Sequence, residues 1–261
     1  MPERRIVSVR FSRVRKTWGK LRTALRKLLV PAGIACLMFW ASPTMGAVSF
    51  IQTAGSANDS PSSSISQPFS SSNTAGNLIV VVASWGDHAA PAISASDTLG
   101  NSYLLATTDR DSGHRQGLAI FYAPNIHSGQ NTVTVEFGQS DGYCHIVVGE
   151  YSGIAEVSPL DTTAMHQASG TTATNGITSS SASTTANGDL IFGAVEDDSG
   201  PWSTIKAGSG FTLRATLNKM DTATEDRVQT AQGPIAATFT FRLADHYMAQ
   251  MAAFRAAGQE A

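Results

Sequence analysis

Acidic and aromatic side chains carry what chemistry this chain could do. The run DRDSGH places Asp109 and Asp111 at i and i+2, with Gly113 following at i+4. That is the opening of a calcium-loop pattern: Ca²⁺ takes about six to eight oxygens, and alternate loop positions can turn two carboxylates onto one ion. Asp109 and Asp111 are therefore the candidate metal ligands, with Ca²⁺ the candidate cofactor. Two further groups combine tryptophan with acids: Trp85, Asp87 and His88 in SWGDH, and Asp197, Asp198 and Trp202 in EDDSGPW. An indole face packs on the apolar C–H face of a sugar ring, while carboxylates accept hydrogen bonds from its hydroxyls. These six residues are the candidate ligand-binding set. Each tryptophan could equally cap the core beneath its loop, and Asp and Gly clusters also build ordinary turns.

Signs of nucleophilic catalysis are sparse. The letters G-x-S-x-G occur once, as GQSDG (138–142), inside a strand-like stretch with no helix signal after it, so the strand-to-helix elbow is not indicated. STIK (Ser203–Lys206) fits S-x-x-K, a match that a serine-rich chain produces by chance. Cys144, in YCHIVVGEY, shares a strand face with Ile146 and Val148 and reads as a small buried hydrophobe. The six histidines show no H-x-H, H-x-x-x-H or H-E-x-x-H spacing, so no zinc site follows from them. If the chain is a hydrolase, His88 and Asp109 are its candidate catalytic groups.

The elements that must position these residues read as strands. Apolar segments are short, rich in Val, Ile, Thr and Phe, and bounded by Gly, Asn, Asp and Ser. NTVTVEF (131–137) and ATFTFRL (237–243) alternate strictly, whereas NLIVVVASW (77–85) is apolar on both faces, as a strand covered on both sides would be. Gly100-Asn101 between two strand-like runs suggests a hairpin turn. Ser56–Ser72 holds 9 serines in 17 residues, and 168–188 holds 11 Ser or Thr in 21. Both are expected to be exposed connections, with short Thr-rich edge strands as the alternative.

The chain also repeats itself. NTAGNLIVVVASWGD (73–87) returns as TTANGDLIFGAVEDD (184–198), and TVTVEF…DGY as TFTFRL…DHY. These echoes imply an internal duplication with halves 48–155 and 156–261. By this repeat YMAQMAAFRA, helix-like in composition, matches YCHIVVGEY and reads as a strand. The expected fold is all-β: a jelly-roll-like β-sandwich built from two pseudo-repeated halves, or alternatively two tandem immunoglobulin-sized sandwiches. TAGNLIVVVASW, SDTLGNSY, IFYAPNI and VGEYSG together resemble a type of secreted bacterial β-sandwich module. The resemblance implies the fold and carries no functional residue.

Charge divides the chain sharply. Ten of its 18 Lys and Arg lie in 4–27, followed by the uncharged apolar run LLVPAGIACLMFWA (28–41) and small residues. A basic head, a short apolar run and small residues describe a secretory signal peptide, here 1–47, and the run is shorter than the roughly 20 residues a membrane span needs. From Val48 onward, 8 basic side chains face 19 acidic ones, a net −11. A basic patch for nucleic acid or anionic lipid is excluded on that balance. The expected product is secreted, extracellular or periplasmic, with no membrane span after signal cleavage. Its first expected function is a binding module for a polysaccharide or another cell-surface or small-molecule ligand. A hydrolase of ester, lactone or glycosidic bonds, with or without calcium, is the second, and a structural surface protein the third.

Overall fold

A computed structural model describes residues 46–86, 93–111, 113–169, 176–197, 205–217, 222–240 and 246–259. The basic head and the apolar run lie outside these. Among the described residues there is no helix, and every strand pairing is antiparallel. Residues 43–261 form one compact unit.

The first half contains β1 (Ser49–Asn58), β2 (Ser62–Pro68), β3 (Leu78–Gly86), β4 (Ile93–Asp97), β5 (Leu104–Asp111), β6 (Gln116–Ala123) and the long β7 (Thr132–Ser152). The first arm of β7 pairs with β2 and β4, its second arm with β1 and β3. Counted as two strands, β7 completes a set of eight. They form a five-stranded sheet, β1-β7-β3-β6-β5, facing a small sheet, β2-β7-β4. In jelly-roll order this is 1-8-3-6 against 2-7-4, with strand 5 joined to strand 6.

The second half is β8 (Leu160–Ser169), β9 (Ile177–Thr178), β10 (Ala182–Ser183), β11 (Leu190–Asp197), β12 (Lys206–Ala207), β13 (Thr212–Leu217), β14 (Thr222–Val228), β15 (Pro234–Ile235), β16 (Thr238–Thr240) and β17 (His246–Phe254). Its large sheet reads β8-β17-β11-β14-β13, the same order as the first. β12-β16-β9 and β10-β15 take the place of the small sheet.

Three cores follow from the pleat. Along β3, Ile79, Val81, Ala83 and Trp85 pack toward the small sheet of their own half. Leu78, Val80 and Val82 face the other way and meet Leu190, Phe192, Met248 and Phe254 of the second half. A third core, around Val195, Phe239 and Met251, fills the second half. The protein is thus two jelly-roll sandwiches joined back to back through their large sheets. This explains why β3 is apolar on both faces: each face covers a different core. It also explains β17, where Ala and Met suit a strand covered on both sides. Each large side chain in the shared core contributes roughly 1.5–3 kcal/mol by burial. The junction joins in, with Ile154 and Ala155 buried.

Two expectations are corrected. The serine-rich stretch 56–72 is largely strand: its short side chains suit an edge, and Ile65 alone on β2 drops into the core. The turn at Gly100-Asn101 does not close a hairpin, because β4 pairs with β7 and β5 with β6. The turn instead carries the chain from one sheet to the other.

Candidate functional site

β3 and β11 run the same way across the shared core. Ser84, near the end of β3, lies 3.1 Å (Oγ to Oγ1) from Thr222 at the start of β14, and the adjacent Ala223 pairs with Val195 near the end of β11. The ends of β3 and β11, at Gly86 and Asp197, therefore lie at one rim. Of the six candidate ligand-binding residues, Asp87, His88, Asp198 and Trp202 lie outside the described residues. The other two are buried. Trp85 is 2% exposed, packed near Phe137 and directly over Gly117; it has no free face for a sugar. Asp197 is fully buried at the end of β11.

Asp109 and Asp111 both lie on β5 and, two apart along the strand, on the same face of it. The Asp109 carboxylate accepts from the amide of Arg110 at 2.7 Å. Asp111 instead gathers with His114 and His246. The sequence hid this set because His246 lies far along the chain, and only the packing of β17 near the end of β5 brings it there. Burial works to raise the Asp111 pKa, but the His114 hydrogen bond, the amides of Gly113 and His114, and the charge of His246 hold it below the ordinary value.

Ser84 and Cys144 are sealed, and Ser140 of GQSDG, though exposed, lies within β7 with no helix after it. Ser84 Oγ lies 3.2 Å from His145 Nδ1, a serine–histidine contact, yet both side chains are fully buried. Burial lowers the His145 pKa to about 4, only slightly offset by the charge of Asp59, so the imidazole is neutral and weakly basic. The Cys144 thiol is pushed up to about 12, by burial and then by the charge of Asp141. It is not an activated thiolate at neutral pH.

The opposite end of the seam between the halves opens into a cavity of about 260 Å³. Phe50 of β1 and Tyr151 of β7 line it from the first half; Thr212 and Arg214 of β13, with Asp226 and Arg227 of β14, line it from the second. Arg214 is pinned by a two-pronged bond to Asp226, at 2.8 and 2.9 Å, and lies 4.0 Å over the Phe50 ring. Arg227 lies 5.4 Å from the Phe211 ring, and its buried Nε makes no hydrogen bond among the described residues. TLRATL and TATEDRV held the signal for this site: charged residues inside strand-like runs. Their convergence depends on sheet register. Compared with family models, curated proteins and solved structures, the chain matches none.

Proposed function

We propose that this protein is an exported, non-catalytic binding module that holds a sugar residue of a neutral polysaccharide in the cavity at the seam of its halves. The lining of that cavity carries the reading. Arg227 contributes its guanidinium to the lining, and Thr212 adds a hydroxyl. The Arg214–Asp226 pair provides fixed polar atoms whose geometry costs nothing to organise on binding. A guanidinium fork donates to two oxygens in one plane, a match for vicinal hydroxyls. The volume is just below the roughly 300–1,000 Å³ of drug-sized sites and suits a single ring.

Binding rather than hydrolysis is supported by the acid count. Glycoside hydrolysis needs two carboxyl groups about 5–10 Å apart, and among the described residues Asp226 is the only acid lining the cavity. The net −11 from Val48 onward disfavours a polyanionic ligand. Export is supported by the basic head and apolar run of 1–47.

Passage of the full chain over cellulose, starch and chitin columns tests this. Retention is expected on at least one, and Arg227→Ala should lose it while melting within a degree or two of wild type. Absence of retention on all three, retention unchanged in Arg227→Ala, or turnover of a glycoside by the purified protein would each contradict the reading.

A further inference from the structure

At the end of the seam away from the cavity, three ligand-type side chains converge from separate places in the chain. Asp111 ends β5, His114 lies in the turn to β6, and His246 opens β17. Asp111 Oδ2 stands 2.9 Å from His114 Nδ1 and 3.1 Å from His246 Nε2. All three ligand atoms lie within 4.8 Å of one another. In a tetrahedral site with bonds of about 2.0 Å, neighbouring ligand atoms stand about 3.3 Å apart. We propose that Asp111, His114 and His246 bind one divalent transition-metal ion of the zinc type, and that this ion clips the first half of the protein to the second.

The donor set selects the class of ion. Two imidazoles and one carboxylate suit zinc, nickel or copper, whereas calcium needs a shell of about six to eight oxygens. Three protein ligands leave a fourth position for water. The carboxylate is already aimed: Oδ1 accepts from the amides of Gly113 and His114, at 2.6 and 3.2 Å, which turns Oδ2 toward both rings. Gly113 permits this closeness, since a Cβ there would stand 3.1 Å from Oδ1. The two imidazoles lie nearly parallel, 3.8 Å between centroids. An imidazole ligates through its in-plane lone pair, so the exposed His114 ring turns out of this stack when the ion binds. The His246 side chain is 2% exposed and that of His114 40%, so one ligand is held in the core and the other stands at the solvent, where an ion can enter. Asp111 and His114 belong to the first half and His246 to the second. Binding therefore stabilises the docked halves alone.

The inference is independent of the sugar-binding cavity. The test is calorimetric titration of chelator-stripped full chain with Zn²⁺ and, separately, Ca²⁺, with melting followed in both. One Zn²⁺ per chain is expected, raising the melting temperature by a few degrees, with Ca²⁺ at least a hundredfold weaker. His114→Ala and His246→Ala should each weaken Zn²⁺ binding at least tenfold. The exposed His114 variant keeps the test valid if loss of the buried ring impairs folding, and loss of the visible bands of the Co²⁺-loaded protein in that variant would report the same ligand directly. No saturable Zn²⁺ binding, binding unchanged in His114→Ala, or Ca²⁺ binding as tight as Zn²⁺ would overturn the proposal.

Discussion

Gly117 lies under the Trp85 indole so closely that a Cβ added there would stand 2.1 Å from the ring. Strand β6 gives up a side chain at this point so that β3 can carry a large one. Trp85 is thus a core residue, and its removal leaves a cavity. Trp85→Ala should destabilise by about 3–5 kcal/mol in urea unfolding. Gly117→Ala should also destabilise, and Trp85→Phe in that background should recover part of the loss by freeing the clash. Melting of Trp85→Ala close to wild type would mean that the indole is not buried as described. At this scale the sequence was only partly legible. A tryptophan beside acids looks the same whether its ring faces water or core, because burial depends on what the opposite sheet presents. His114 and His246 likewise gave no spacing signal, since their meeting is a matter of packing.

Strands were legible where each face has a clear fate. Val133, Val135 and Phe137 alternate with exposed or half-exposed neighbours on the first arm of β7, and all three enter the core. β17 could be assigned only by its repeat, because alanine and methionine favour helix on propensity and the override comes from the cores on either side. Strand partners were less legible than strands. The turn after β4 is built around Asp97, whose carboxylate accepts from the amides of Leu99 and Asn101 and from the side chains of Asn101, Tyr103 and Asn131. Burial works to raise the Asp97 pKa, but these bonds, led by those of Asn131 and Asn101, hold it below the ordinary value. Such an anchor can terminate a hairpin or redirect a chain between sheets, and the local sequence is the same for both. Glu150 anchors the repeated turn in the same manner, accepting from Asn73, Thr74 and Asn77.

The matching strand order of the two large sheets was legible because offsets of about half the body length recur in several motifs. How the halves meet was not, since apolar faces alone do not say whether they cover a partner sheet of the same half or the other. The assembled body has a pH signature of its own. Burial raises the Glu225 pKa from 4.5 to about 7, with the amides of Gly208 and Thr238 opposing it and the charge of Asp226 adding to it. Burial and the adjacent Asp161 do the same to Asp189, also to about 7, against the charge of Arg255. Both groups hold protons in the folded state that the unfolded chain releases. Their stabilisation is complete below the ordinary carboxylate range and is lost as pH rises through about 7. Asp97, Asp111 and Asp161 are shifted down, so their contribution disappears only as pH falls through still lower values. Burial of neutral His145 works the opposite way below its ordinary pKa of 6.5, so the fall in melting temperature should be clearest from about pH 6.5 upward. Glu225→Gln should remove part of that fall, at most roughly 3 kcal/mol. An identical slope in the variant would contradict the assignment.

The central claim is that the cavity at the seam receives a sugar through Arg227. It is tested most directly by calorimetric titration of the full chain, wild type and Arg227→Ala, with a soluble oligosaccharide of whichever column polysaccharide retains it. A charge-assisted hydrogen bond contributes about 1.5–3 kcal/mol, so affinity should drop at least tenfold in the variant with melting nearly unchanged. Equal affinity for the two proteins would place the sugar elsewhere and contradict the claim.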